Sequence, residues 1–308
     1  MWPRVAALLL AAADARVCCP CCGAWESEAA MRYDRLSDTD VAWAPRGGDT
    51  CAFPPVTAAR LCAAVGANGT LSIIGDSLAV SQLHALARSA TDVPLGPRDD
   101  GFDVPCGNSA LRVRMVRANM LQADAGWVSA ACGSDVVFLN SGAHWGRHEA
   151  RVRNYRPSLE RALADLDAAC GGDFRDGRRP PKRRLLFRST PEGNPFCHAG
   201  LDFATTAAWE ATVGCVLDGR CDPGNFTKTP VVFDVAWGWR HFSRLDADAR
   251  GAVESSGLGS FHDVTPLTRL RPRRGAPDRQ RPGDCLHDDP ATGDWNAMLV
   301  NALLDPCA

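Results

Sequence analysis

A chain of 308 residues with 45% hydrophobic positions carries enough apolar side chain for one large α/β core, or for such a core with a small annex. A formal charge of −2 and a sequence pI near 6.4 give no whole-chain signal for nucleic acid or an anionic membrane, and neither is expected as a partner. Fourteen cysteines, an even number and many for a cytosolic enzyme, point to disulfides.

Residues 1–15 start with Met1-Trp2-Pro3-Arg4, run through the apolar stretch Val5 to Ala13 and end on Ala13-Asp14-Ala15. A short positive start, a hydrophobic stretch and an Ala-x-Ala-like cleavage site make up a secretory signal. The apolar run is too short to cross a bilayer, and the rest of the sequence has no longer one, so no integral membrane segment is expected. The protein is therefore expected in the secretory pathway, in the Golgi lumen or secreted. Residues 16–66 read as a Cys-rich N-terminal segment, with Cys18-Cys19-Pro20-Cys21-Cys22, Trp25, Trp43, Cys51 and Cys62, stapled onto a main domain of residues 67–308. Paired cysteines can hold zinc, but the spacing is not repeated downstream, and an oxidising compartment favours disulfides. Asn68-Gly69-Thr70 and Asn225-Phe226-Thr227 are glycosylation sequons in turn-like surroundings.

Leu71, Ile73 and Ile74 mark the end of a buried strand, and Gly75-Asp76-Ser77 marks a turn. Ala79, Leu83, Leu86 and Ala90 then fall on one helical stripe. Ser77 thus stands where a strand becomes a helix. There its hydroxyl is held at the carboxyl edge of a sheet, and the first helical N–H groups face any oxyanion formed beside it. The same residues also read as an Asp/Ser cap opening an ordinary helix.

The Gly/Pro/Asp-rich stretch 94–107 reads as a loop. Leu111 to Val116 alternates as a strand does and leads to Arg117 and Asn119. Val136 to Leu139 is continuously apolar, as a central parallel strand is. Asn140 ends it at the sheet edge of Ser77, where its amide is a candidate oxyanion donor or a plain strand-ending turn residue. His144 and His148 lack the further ligands a metal site needs, and His144-Trp145 reads as lining or packing a cleft. Leu159, Leu163, Leu166 and Cys170 share a helix face. The basic run 177–184 reads as a solvated loop. Leu185-Leu186-Phe187 is a short buried strand that places Arg188-Ser189-Thr190 at its carboxyl end, where open α/β sheets bind ligands. Pro230 to Val235 and Phe261 to Val264 read as strands, with a helix over Arg240 to Val253 between them. The Arg/Pro/Gly stretch 269–283 reads as a solvated connection. Alternating strands and helices imply a parallel sheet with helices on both faces.

Asp284-Cys285-Leu286-His287 follows that connection and precedes a helix whose Trp295, Met298, Leu299, Ala302 and Leu303 share a face. Asp and His three apart in a loop can both turn toward one serine, the His to take its proton and the Asp to fix the tautomer. With these residues the chain resembles the trichome-birefringence-like and PC-esterase group of Gly-Asp-Ser enzymes. Trp43-Ala44-Pro45 with Cys51, Ile74 to Leu78, Asp135 to Trp145, Phe187 to Pro191, Asp284 to His287 and Trp295-Asn296 stand in the family's order across most of the chain. The run Asp288 to Asp294 departs from its pattern, and its second block is reduced to Arg117-Ala118-Asn119.

The resemblance implies a flavodoxin-like, three-layer SGNH-hydrolase fold with a small Cys-rich lobe. It also implies Ser77 as nucleophile, His287 as general base and Asp284 as orienting carboxylate. The Ser77 N–H and Asn140 would hold the oxyanion, and Arg117, His144 and Arg188 are candidates around oxyanion and substrate. The expected reaction moves an acetyl group from a donor to a glycan or polysaccharide hydroxyl through an acyl-serine, without organic cofactor or metal. A carbohydrate acetylesterase and a catalytically inactive glycan-binding protein are the alternatives.

Overall fold

The computed structural model describes residues 31–35, 41–45, 54–122, 126–175, 182–191, 208, 210–215, 220, 238–269, 286–287 and 289–304. Strands β1 (Met31–Arg35) and β2 (Val41–Pro45) form an antiparallel pair. The body runs α1 (Ala58–Val65), β3 (Thr70–Gly75), α2 (Ser77–Thr91), β4 (Gly101–Cys106), β5 (Ser109–Arg117), α3 (Trp127–Cys132), β6 (Val136–Leu139) and α4 (Glu149–Ala169). It continues with β7 (Arg184–Arg188), α5 (Phe242–Ser256), β8 (Ser260–His262), α6 (Thr265–Arg269) and α7 (Asp289–Leu304).

Six strands form one sheet in the order β4-β5-β3-β6-β7-β8. All neighbours pair in parallel except β4, which is antiparallel to β5 at the edge. Taken in chain order, the five parallel strands lie second-first-third-fourth-fifth across the sheet. That is the flavodoxin-like doubly wound order, and its switch point is the crevice at the carboxyl ends of β3 and β6.

Every residue of β6 is buried because both faces of the sheet are covered. Val137 and Leu139 pack with Trp127 of α3, Leu159, Leu163 and Leu166 of α4, and Leu245 and Val253 of α5. Val136 and Phe138 pack on the opposite face with Leu61 of α1, Leu83 and Leu86 of α2, and Leu299 and Leu303 of α7. The α/β class expected from the sequence is the class observed.

Three expectations change in detail. The stretch 94–107 is not all loop, since β4 lies within it. Phe102 and Val104 are buried while Asp103 between them is exposed. Pro105 is tolerated there because an edge strand has N–H positions that need no ladder partner. The sheet is therefore mixed rather than all parallel. The strand expected over Phe261 to Val264 is shorter and begins earlier, at Ser260. The strand expected at Pro230 to Val235 lies outside the described residues, as do residues 1–15, the Cys18 to Cys22 cluster and the sequon at Asn225.

All the cysteines among the described residues are disulfide-bonded. Cys62 of α1 pairs with Cys106 of β4, and Cys132 of α3 pairs with Cys170 at the end of α4. The first bond staples the end of the 16–66 segment to the sheet. Such bonds are consistent with a lumenal or secreted protein. No helix among the described residues is long and apolar enough to cross a membrane.

Candidate active site

Three strand ends converge at the switch crevice. Gly75 ends β3 against β6 so closely that a Cβ there would lie 2.7 Å from the Asn140 carbonyl oxygen, which explains the glycine. Asp76 is fully buried and caps α2, its Oδ1 accepting the Leu78 N–H at 2.9 Å. Its Oδ2 accepts the Ala143 N–H at 3.3 Å, which ties the turn after β6 to the turn after β3. Both Asp76 oxygens are thus engaged in placing Ser77, the first residue of α2.

Ser77 is partly exposed, and its Oγ lies 2.8 Å from His287 Nε2. With the imidazole proton on Nδ1, the serine hydroxyl donates to Nε2, the bond a general base requires. The pair spans 210 positions of sequence, and α7 begins two residues beyond the histidine. Asp284 lies outside the described residues. The Leu78 N–H is occupied by the Asp76 cap, so among the first N–H groups of α2 the one on Ser77 is the natural oxyanion donor.

Asn140 is buried at the end of β6, against Gly75. Its Nδ2 donates to the Arg188 carbonyl at 3.3 Å and to Thr190 Oγ1 at 2.8 Å, which engages both amide hydrogens. Arg117 is exposed at the end of β5, in register with Gly75, and its Nε donates to Asn119 Oδ1 at 3.3 Å. His144 is half-buried in the turn fastened to Asp76. Burial lowers its pKa from the usual 6.5, Asp76 opposes that shift, and Arg117, Arg147 and Arg151 reinforce it. The imidazole is therefore neutral at pH 7, and its own carbonyl accepts from Arg151 Nη1 at 3.3 Å. Trp145 turns into the core: its Nε1 donates to Ser141 Oγ at 3.0 Å, and its ring meets Tyr155 edge-on at 5.3 Å.

Arg188 is a fully buried cation. Nε donates to Gln82 Oε1 at 3.1 Å, Nη1 donates to the Ser189 carbonyl at 2.6 Å, and the guanidinium lies 4.6 Å from the Trp295 ring centroid. Burial lowers its pKa to about 10, with Asp76 and Asp246 opposing, so it remains a cation at neutral pH. The structure thus brings Ser77 and His287 together, places Asn140 against Gly75, leaves Arg117 exposed and His144 half-buried, and buries Arg188. Sequence reasoning left two contributors without a role. Asp76 is quoted in the motif only as a helix cap, although a buried carboxylate next to the serine is itself a signal. Gln82 is the polar residue that interrupts the apolar stripe of α2. No group of three or more potential metal ligands occurs among the described residues.

No family model and no curated protein matches the chain. Solved structures that resemble it include Est24, a carbohydrate acetylesterase from Sinorhizobium meliloti, at 12% identity, TM-score 0.40, covering 77% of this chain and 100% of that one. The periplasmic domain of the lipopolysaccharide acetyltransferase of Salmonella ser. Paratyphi A resembles it at 13% identity, TM-score 0.38, covering 80% and 86%. The lipase Lip_vut3 from a goat rumen metagenome does so at 11% identity, TM-score 0.36, covering 75% and 97%. The fold assignment rests on the strand order rather than on these likenesses.

Proposed function

We propose that the protein is a serine-dependent acyl-transfer enzyme acting on carbohydrate hydroxyls, most simply an O-acetyltransferase. The observation that carries this reading is the 2.8 Å contact between Ser77 Oγ and His287 Nε2 at the switch crevice. Ser77 attacks the acyl carbonyl while His287 Nε2 takes its proton. The tetrahedral oxyanion is held by the Ser77 N–H and, on release of its 3.3 Å bond to Arg188, by the Asn140 amide. Collapse expels the donor's leaving group, which receives the proton from His287 and leaves acyl-Ser77. A sugar hydroxyl then gives its proton to His287 and attacks the acyl carbon, and collapse expels Ser77 Oγ, which takes that proton from His287 to regenerate the serine. Asp284 orients the imidazole. The glycan acceptor and the acetyl donor come from the family resemblance of the sequence motifs. Water in place of the sugar hydroxyl makes the same site an esterase.

Intact-mass measurement of the protein incubated with acetyl donors, with and without oligosaccharide acceptors, tests this. An acetyl adduct on Ser77 that is discharged by oligosaccharide supports the transferase, and discharge in buffer alone supports the esterase. Ser77→Ala should lower turnover by at least ~10³-fold. Wild-type turnover in that variant would end the mechanism.

A further inference from the structure

A buried cation joins the helix that begins at Ser77 to the helix that follows His287. Arg188 ends β7, within the sheet. Its Nε holds Gln82 on α2, about one and a half turns beyond Ser77. Its guanidinium face lies on Trp295 of α7, the helix that follows His287. Asn296, next on α7, donates its Nδ2 to the Gln82 carbonyl at 3.0 Å, so α7 grips α2 directly at the same place. Trp295 is fixed in turn, its Nε1 donating to Thr268 Oγ1 of α6 at 3.1 Å. Arg188, Gln82, Trp295 and Asn296 are each at most 1% exposed.

Burying a guanidinium carries a desolvation penalty that its contacts must repay, and an aliphatic side chain would fill the same space without that penalty. An aliphatic contact is also non-directional and allows two helices to slide. A planar guanidinium that bonds one helix through its edge and stacks on an indole of the other fixes both distance and angle. We infer that Arg188 is a positioning residue that locks α2 against α7 and so keeps His287 Nε2 within hydrogen-bond reach of Ser77 Oγ. It touches neither reacting atom. The inference rests on the acyl-serine reading for its consequence, because a displacement of about 1 Å caused far from the chemistry costs on the order of 10²-fold in rate.

The test is the rate of Ser77 labelling by a fluorophosphonate. That reaction needs a serine activated by its base but no recognition of glycan or acetyl donor. Full-length wild-type protein is compared with Arg188→Met, Arg188→Lys and Trp295→Phe, each rate taken per folded molecule well below that variant's own Tm. Leu163→Ala, on α4, serves as a variant that lowers Tm without replacing a residue of the lock. Labelling should slow roughly 10²-fold in Arg188→Met and about 10-fold in Arg188→Lys, while Leu163→Ala labels at the wild-type rate. If Arg188→Met does not fold, Arg188→Lys and Trp295→Phe decide by the same criterion. Wild-type labelling rates with only a lowered Tm would reduce Arg188 to packing and overturn the inference, leaving the acyl-serine reading intact. A wild-type protein that is not labelled at Ser77 overturns that reading, and the inference with it.

Discussion

Ser77 and His287 reach one another from unlike supports. Ser77 is fixed within a short stretch of sequence. β3 is paired on both sides, Gly75 presses against Asn140, and Asp76 bonds both to its own helix and to the turn after β6. His287 follows a long Arg/Pro/Gly-rich stretch and directly precedes α7, which is gripped through Trp295 and Asn296. Local order places Ser77, the proposed nucleophile, and tertiary packing places His287, the proposed base. Substitutions on the two sides should therefore fail differently. Those near Ser77 should alter chemistry with the geometry intact, and those near His287 should misplace the base.

The largest effect is expected on the base side. Asp284→Asn should lower kcat by about 10⁴-fold with KM nearly unchanged, because an amide selects the wrong imidazole tautomer. Steady-state kinetics on one preparation, with Tm as the control for folding, measures it. A loss below tenfold would remove Asp284 from the mechanism and leave His287 to be oriented by another group.

Asn140→Ala probes the nucleophile side. If the amide exchanges its bond to Arg188 for the oxyanion, kcat should fall by roughly 10²–10³, about 3–4 kcal/mol, with little change in KM. If its bonds to the Arg188 carbonyl and Thr190 only close the sheet edge, Tm falls and kcat per folded molecule stays within a few-fold. Measuring both on the same sample separates a catalytic amide from a structural one.

The nucleophile side was the more legible in sequence, for the same physical reason that it is locally fixed. A β-branched run, a turn and an apolar stripe are all short-range signals, and together they put Ser77 at a strand-to-helix junction. Val136 to Leu139 read as a central strand because burial on both faces leaves no polar alternation. β4 is not legible in the sequence because its glycine, aspartate and proline are loop residues by composition, and only antiparallel pairing with β5 makes them a strand. Arg188 could be placed at a strand end but not recognised as buried. Its partners are 106 positions upstream in Gln82 and on a helix near the end of the chain, and no local pattern encodes contacts that distant. A pairing of His287 with Ser77 is implied only by the motif resemblance, since spacing alone does not bring together residues so far apart.

Disulfide removal should sharpen the contrast by weakening the scaffold without altering the pair. The Cys62–Cys106 bond closes a separation of 44 and joins α1 to β4 at the sheet edge remote from β7. Replacing both with serine should cost about 2–4 kcal/mol in urea unfolding through loss of the loop constraint. Because β3 keeps its pairing with β5 and β6, fluorophosphonate labelling of the folded fraction should be unchanged. A slowed labelling rate would show that the nucleophile side also depends on distant packing.

The last effect is a pH dependence on the base side, absent at neutral pH and growing only with acid. His262, in β8, is 3% exposed, and its backbone carbonyl accepts the Ser189 N–H at 2.9 Å, one residue past Arg188. Its Nε2 meets Ser260 Oγ at 2.6 Å. Burial lowers its pKa from 6.5 to about 4. Between those values the unfolded chain binds a proton that the folded chain does not, so stability rises with pH across the window. The contribution is complete above about pH 6.5 and is lost as pH falls toward about 4, at no more than about 1.4 kcal/mol per pH unit. Urea unfolding of wild type and His262→Asn at pH 7, 6, 5 and 4.5 isolates this term from that of the carboxylates, which both proteins share. The wild-type curve should fall more steeply with acid, converging on or crossing that of the variant. Because β8 braces the strand that ends in Arg188, labelling of Ser77 in the wild type should become sensitive to denaturant first in this pH range. Parallel stability curves for the two proteins would show that His262 takes its proton without cost to the fold, and the β7–β8 edge would then play no part in holding the base.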